Sequence, residues 1–138
     1  MDKTLNYLAL ARKAGLAELG EEPVGAITRA LKGHLVLVAK DASDHTWRRA
    51  KSFVAGTDQQ CVRLPYTKEE VGFAIGRQEL AIAAITDPGM ALTLLSSLDE
   101  PEKHKAAAEV LQAKADRAKK RQAESKAHQR NLRKGRKK

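Results

Sequence analysis

The sequence predicts an α/β fold: a three-layer α/β/α sandwich with a small central mixed sheet, followed by a basic C-terminal helix or disordered tail. Three observations carry this expectation. Residues 35–39 and 80–85 are short, continuously apolar runs, the pattern of strands covered on both faces. Around them apolar residues recur at helical spacing, and strands alternating with amphipathic helices argue for layers packed on a buried sheet. The charge is also divided. Through Asp99 there are 12 Lys or Arg and 12 Asp or Glu, whereas from Glu100 onward there are 14 and 5, so the tail holds the whole net charge of +9. Residues 1–99 therefore read as a neutral domain and residues 100–138 as a basic appendage.

Each element has a local reason. Leu5, Leu8 and Ala9 share one face of a first helix that carries Arg12 and Lys13 near its end and stops at Gly15. Residues 16–19 form a short edge strand. Pro23 suits the first turn of a second helix, because its missing N–H has no partner to lose there; Val24, Ile27 and Leu31 make its apolar face before Gly33. After the strand at 35–39, Asp41, Ser43 and Asp44 offer oxygens to cap a third helix. Its packing face is Trp47, Ala50 and Val54, and it ends near Gly56. Residues 61–64 form another strand, and Thr67 with Glu70 makes a capping box for a fourth helix. In that helix Gly72 permits close helix packing and Gly76 ends it. The strand at 80–85 leads to Asp87 and Pro88, which cap and begin a fifth helix.

Beyond Asp99 the apolar pattern fades. Ala107, Val110 and Leu111 can still pack, but the later residues are mostly strong helix formers without an apolar stripe, which predicts an exposed helix over 102–129. Residues 130–138 hold six cations among nine and read as disordered until an anion binds.

Most chemistry is excluded by the residues themselves. The single cysteine, Cys61, makes no internal disulfide and sits in an apolar run as a small hydrophobe; with no N-terminal apolar segment, the chain is expected in the reducing cytoplasm, off the membrane. The four histidines have no metal-ligand spacing, so no metal is expected. Asp41, Ser43, Asp44 and His45 include every residue type of a hydrolase triad, but neighbours in sequence do not make triad geometry, and capping already explains them. There is no phosphate loop, and Gly72 and Gly76 lack a strand-to-helix position; no cofactor and no catalytic residue are assigned.

Nucleic-acid binding remains. Cations that neutralise phosphates release counterions and give salt-dependent affinity. The tail offers Lys114, Arg117, Lys119, Lys120, Arg121, Lys126, Arg130, Arg133, Lys134, Arg136, Lys137 and Lys138 for this purpose. Such a set confers affinity without specificity.

The neutral domain resembles a known family. The stretch from Leu8 to Gly15, then Gly20-Glu21-Glu22, the apolar run beginning at Leu35 with Asp41-Ala42-Ser43, Gly72 to Gly76, and Ala84 to Asp87 are similar to the L-seven-Ae and L-thirty-e ribosomal protein family, most closely its small bacterial branch. The resemblance covers residues 5–98. It implies a non-enzymatic α/β/α sandwich that binds kink-turn or similarly bent RNA. The RNA would lie against the start of the second helix and the loop entering the last strand. Carried over, the family's Gly-x-Asn-Glu-x-x-Lys motif keeps Gly20 but has Glu22, Pro23 and Ala26 at its other positions, with Arg29 available one turn on.

The expected contact set in the domain is thus Gly20, Glu21, Glu22, Arg29, Lys40, Ser43, Arg77, Gln78, Thr86 and Gly89. Its expected partner is structured RNA, such as ribosomal RNA, with ribosomal proteins as further neighbours and the domain itself monomeric. An alternative is an RNA-anchored adaptor whose domain binds a protein. A third possibility is a relative of the substrate-recognition domain of ribosomal RNA methyltransferases, which without a cofactor domain would not methylate alone.

Overall fold

The computed structural model describes residues 2–136, with side chains through Arg130. The elements follow the expected order: α1 (Lys3–Lys13), β1 (Ala17–Leu19), α2 (Glu21–Arg29), β2 (Leu35–Val38), α3 (Asp44–Val54), β3 (Gln60–Arg63), α4 (Lys68–Ala74), β4 (Ile82–Ile85), α5 (Pro88–Ser96) and α6 (Lys105–Arg136).

The strands form one mixed sheet in the order β1-β4-β2-β3. β4 runs antiparallel to both β1 and β2, and β2 runs parallel to β3; Val38 faces Ile82 across the central pair. The two central strands, β2 and β4, are buried at every residue, which is why both are apolar without alternation. Alternation survives in where the side chains go. Leu35 and Leu37 join a core with Leu8 of α1, Val71 of α4 and Leu94 of α5, while Val36 and Val38 join a second core with Val24 of α2 and Ala50 of α3. The sheet is therefore the middle of three layers, with α2 and α3 below it and α1, α4 and α5 above.

Four helices start on side-chain caps. Asp2, Ser43, Thr67 and Asp87 each accept a hydrogen bond from a backbone N–H in the first turn, and Thr67 with Glu70 completes the expected capping box. Each cap stabilises its helix by about 1 kcal/mol. Asp41 caps no part of α3; its Oδ1 accepts from the Lys68 N–H at 2.8 Å, tying the start of α4 to the end of β2. On α1, Leu5 and Leu8 are buried as expected, with Thr4 and Ala11 completing the face in place of Ala9.

Other departures have local causes. α2 stops at Arg29, and Leu31 turns left-handed at φ 61° with 61% of its surface exposed, so it is not on the packing face. The return of the chain is held by Gln59, whose side-chain oxygen accepts from the Gly33 N–H at 2.9 Å. Gly33 is needed there for space: a Cβ would lie 2.7 Å from the Thr28 methyl. Gly72 likewise serves close approach, but to the backbone of Glu79 in the loop returning to β4 rather than to another helix. Gly76 ends α4 at φ 75°, as expected.

The largest departure is at the C-terminus. α6 runs 32 residues, about 48 Å at 1.5 Å per residue, so the stretch expected to be disordered is helical as far as Arg136. Lys137 and Lys138 lie outside the described residues. The first turns of α6 pack on α5, and Leu111 is 0% exposed within the core shared with α1, α4 and α5. The core therefore continues past Asp99.

Candidate nucleic-acid interface

The sheet register sorts the expected contact residues to two ends. β1 and β2 both run toward the end where β4 begins, and there the Gly20 N–H donates to the Ile82 carbonyl at 3.0 Å and the Ala39 N–H to that of Ala81 at 2.9 Å. Gly20 and the start of α2, Lys40 to Ser43, and the loop carrying Arg77 and Gln78 into β4 therefore converge at this one end. The start of α4 is joined to it through Asp41 and Lys68. The start of a helix directs free backbone N–H groups outward, and the carboxyl ends of parallel strands are where α/β folds collect ligands.

Within this end the residues differ in how free they are. Gly20 is the N-cap of α2 at φ 97°, a conformation that favours glycine, and makes no side-chain cap. Glu21 is ion-paired with Arg49 of α3, so its charge is balanced within the domain. Arg49 also lies 5.2 Å over the Phe53 ring. Glu22, Pro23 and Ala26 are exposed. Arg29 closes the far end of α2, but its guanidinium folds back toward Gly25 beside Phe53. Lys40 is exposed and lines a cleft of about 440 Å³ with Arg63, Lys103 and His104. Ser43 is occupied as the cap of α3, its Oγ accepting from the Thr46 N–H at 3.1 Å. Arg77 and Gln78 are exposed in the loop pressed against Gly72.

Thr86 and Gly89 do not join this group. They follow the carboxyl end of β4, which runs away from Gly20, so they lie at the opposite end of the sheet, where the Thr86 N–H donates to the Leu16 carbonyl. The expected single face is thus divided by one antiparallel strand.

Sequence reasoning missed two groups. Trp47 lies between cations, with the Arg63 guanidinium 4.6 Å and the Lys51 ammonium 5.6 Å from its ring centre, at the attractive distance for a cation over an aromatic face. At the end opposite Gly20, Lys114 is 8% exposed, its ammonium 2.9 Å from Asp58 Oδ1 and 3.2 Å from His34 Nδ1. An ammonium only donates, so His34 accepts through an unprotonated Nδ1. Burial and the adjacent Lys114 hold the His34 pKa below its ordinary value, and the Lys114 hydrogen bond lowers that of Asp58. No local signal in the sequence joins residues 34, 58 and 114. Farther along α6, Arg117, Lys119, Lys120, Arg121, Lys126 and Arg130 are exposed, and Arg133, Lys134 and Arg136 continue the helix.

Burial pushes the Cys61 thiol up to about 12, which leaves it protonated and a poor nucleophile. Among the described residues, no three His, Cys, Asp or Glu side chains cluster closely enough to hold a metal ion, and no helix is long and apolar enough to cross a membrane.

No protein-family model matches the chain. Over 97 residues, 67% of this chain and 91% of the relative, it is 34% identical to the RNA-binding protein YlxQ of Bacillus subtilis (strain 168). The chain belongs to the YlxQ family. A second member, RNA-binding protein YlxQ of Enterococcus faecium, is 33% identical over 89 residues, covering 64% of this chain and 84% of that one. Among solved structures, a protein of unknown function from Bacillus halodurans C superposes with a TM-score of 0.67 at 26% identity, covering 72% of this chain and all of that chain. The Giardia lamblia 15.5kD RNA binding protein superposes with a TM-score of 0.60 at 16% identity, covering 75% of this chain and 85% of that chain, a likeness of fold.

Proposed function

We propose that this YlxQ-family protein binds structured RNA in the cytoplasm without catalysing a reaction. The reading surface is the sheet end where the start of α2, Lys40 to Ser43 and the Arg77 loop meet. The observation that carries this reading is that convergence, set in a chain 34% identical to a protein named for RNA binding. Backbone N–H groups at the start of α2 attract phosphate, and side chains beside them reach bases only where RNA is bent or opened. The pairing of Glu21 with Arg49 balances one of the two acids at this helix start, while Glu22 stays exposed. The exposed cations of α6 add salt-dependent affinity. Ribosomal RNA is the favoured source of such a bent element.

Binding should be compared for a kink-turn RNA, the same RNA with its sheared G·A pairs disrupted, and a plain duplex, at several salt concentrations. The expected result is preference for the intact kink-turn, increased by Glu22→Asn, Pro23→Glu and Ala26→Lys together, since all three positions are exposed and free to change. Equal affinity for the three RNAs, with no gain in the triple variant, would reject this face as the reading surface.

One observation favours the adaptor reading. Phe73 is 78% exposed beside Tyr66 and Leu5 in a groove of about 580 Å³, and exposed aromatics are enriched where proteins meet.

A further inference from the structure

At the sheet end opposite Gly20, α6 and the domain enclose a cleft of about 520 Å³ lined by Leu31, His34, Pro88, Lys114, Arg117 and Arg121. Lys114, Arg117 and Arg121 follow at i, i+3 and i+7, one helical row facing the domain. The members of this row differ in role. Lys114 is buried and spent on Asp58 and His34, which fixes the rotation of α6 against the domain. Arg117 and Arg121, one turn apart, are exposed and have no carboxylate within ion-pairing distance among the described residues. Asp58, the one acid among the described residues lining the cleft, is ion-paired with Lys114 and also feels the positive charge of Arg117 without pairing with it. On the facing wall Leu31, an exposed apolar side chain on a left-handed backbone, stands at the rim.

We propose that this cleft is a second RNA-binding site, in which Arg117 and Arg121 hold the phosphate backbone and Leu31 packs on the sugar or base beside it. The occupant is set by the charge. Two guanidiniums outside any ion pair can form multiple hydrogen bonds to phosphate oxygens, and the same helix continues with cations on its other faces, so a long polyanion is drawn along α6. The buried Lys114 makes the difference between this site and a loose basic tail. It holds Arg117 and Arg121 in one orientation, so that α6 is a fixed arm and two RNA segments are held at opposite ends of one sheet. The proposal rests on RNA being the partner, but not on the Gly20 end being the reading surface.

Charge-matched variants of the full chain separate the site from general attraction. Arg117→Gln with Arg121→Gln removes two cations from the cleft; Lys119→Gln with Lys120→Gln removes two from α6 outside it. With a plain duplex RNA as probe, the first pair should weaken binding by about tenfold more than the second, the worth of a well-made charged hydrogen bond. Leu31→Gly, which suits the left-handed backbone, should weaken binding while leaving the thermal midpoint unchanged or raised. Equal losses from the two pairs, or unchanged binding by Leu31→Gly, would overturn the cleft. Lys40→Gln with Arg77→Gln, tested on the kink-turn RNA, reads the Gly20 end separately. A null result there beside a positive result at the cleft would reject the first surface and keep the second.

Discussion

His34 shows how a single side chain here takes its chemistry from its surroundings. In sequence it is one of four histidines without metal spacing. In the structure its Nδ1 accepts from the buried Lys114 ammonium, and burial and that positive charge disfavour its own protonation. A histidine with a folded pKa below its unfolded value of about 6.5 contributes stability that is present above that value and is lost as pH falls through the lowered folded value. Asp58 and Asp87 act in the opposite sense but weigh less than burial and Lys114. The thermal midpoint should therefore fall as pH drops from 7 toward 5. His34→Gln, which keeps an acceptor without the titration, should flatten part of that slope. His104, whose pKa is also lowered by burial, supplies a residual slope of the same sign. An identical pH profile in wild type and variant would show that folding does not lower the His34 pKa. Leu31 teaches the same lesson for conformation. Its spacing from Val24 and Ile27 fits a helix face, but the helix ends two residues earlier, and spacing alone does not report where an end falls.

At the scale of elements, capping chemistry was legible because it is local. Ser43, Thr67 and Asp87 cap the helices their sequence neighbours announce, within three residues of the N–H they hold. Gly72 was legible as a close approach but not as to what approaches, because Glu79 reaches it only after the loop has folded back along α4. A methyl group there would collide with the Glu79 backbone, which cannot rotate away as a side chain would. Gly72→Ala should destabilise the fold by about 1–3 kcal/mol, the usual cost of overpacking, measured by denaturant midpoint. By shifting the loop that carries Arg77 and Gln78, it should also reduce preference for a kink-turn more than affinity for a plain duplex. Wild-type stability in this variant would mean that the loop is not held against α4.

For the whole molecule, the division of charge at Asp99 does not coincide with the division of packing. The cations begin where the sequence places them, but Leu111 fills the core and Lys114 is pinned to Asp58, so the first turns of α6 are structural. Deleting residues 100–138 should therefore cost stability of about 2–5 kcal/mol, the loss expected for one fully buried leucine, beside any loss of RNA affinity. Deleting only residues 122–138 should leave the thermal midpoint nearly unchanged while lowering the salt slope of RNA binding. Equal midpoints for the two truncations would show that the docked turns add nothing to the core.

The fold class, the element order and the basic character of the C-terminal segment were determined by the sequence alone, because apolar periodicity, caps and charge are properties of neighbouring residues. The convergence of Gly20, Lys40 and Arg77, the separation of Thr86 and Gly89 from them, and the seating of α6 through Lys114, Asp58 and His34 were decided only by the tertiary structure. Those depend on strand direction and on contacts between residues far apart in the chain. The cleft at the opposite end is likewise built by strand direction, since β4 runs against β1 and β2 and α6 packs at the end where β4 finishes.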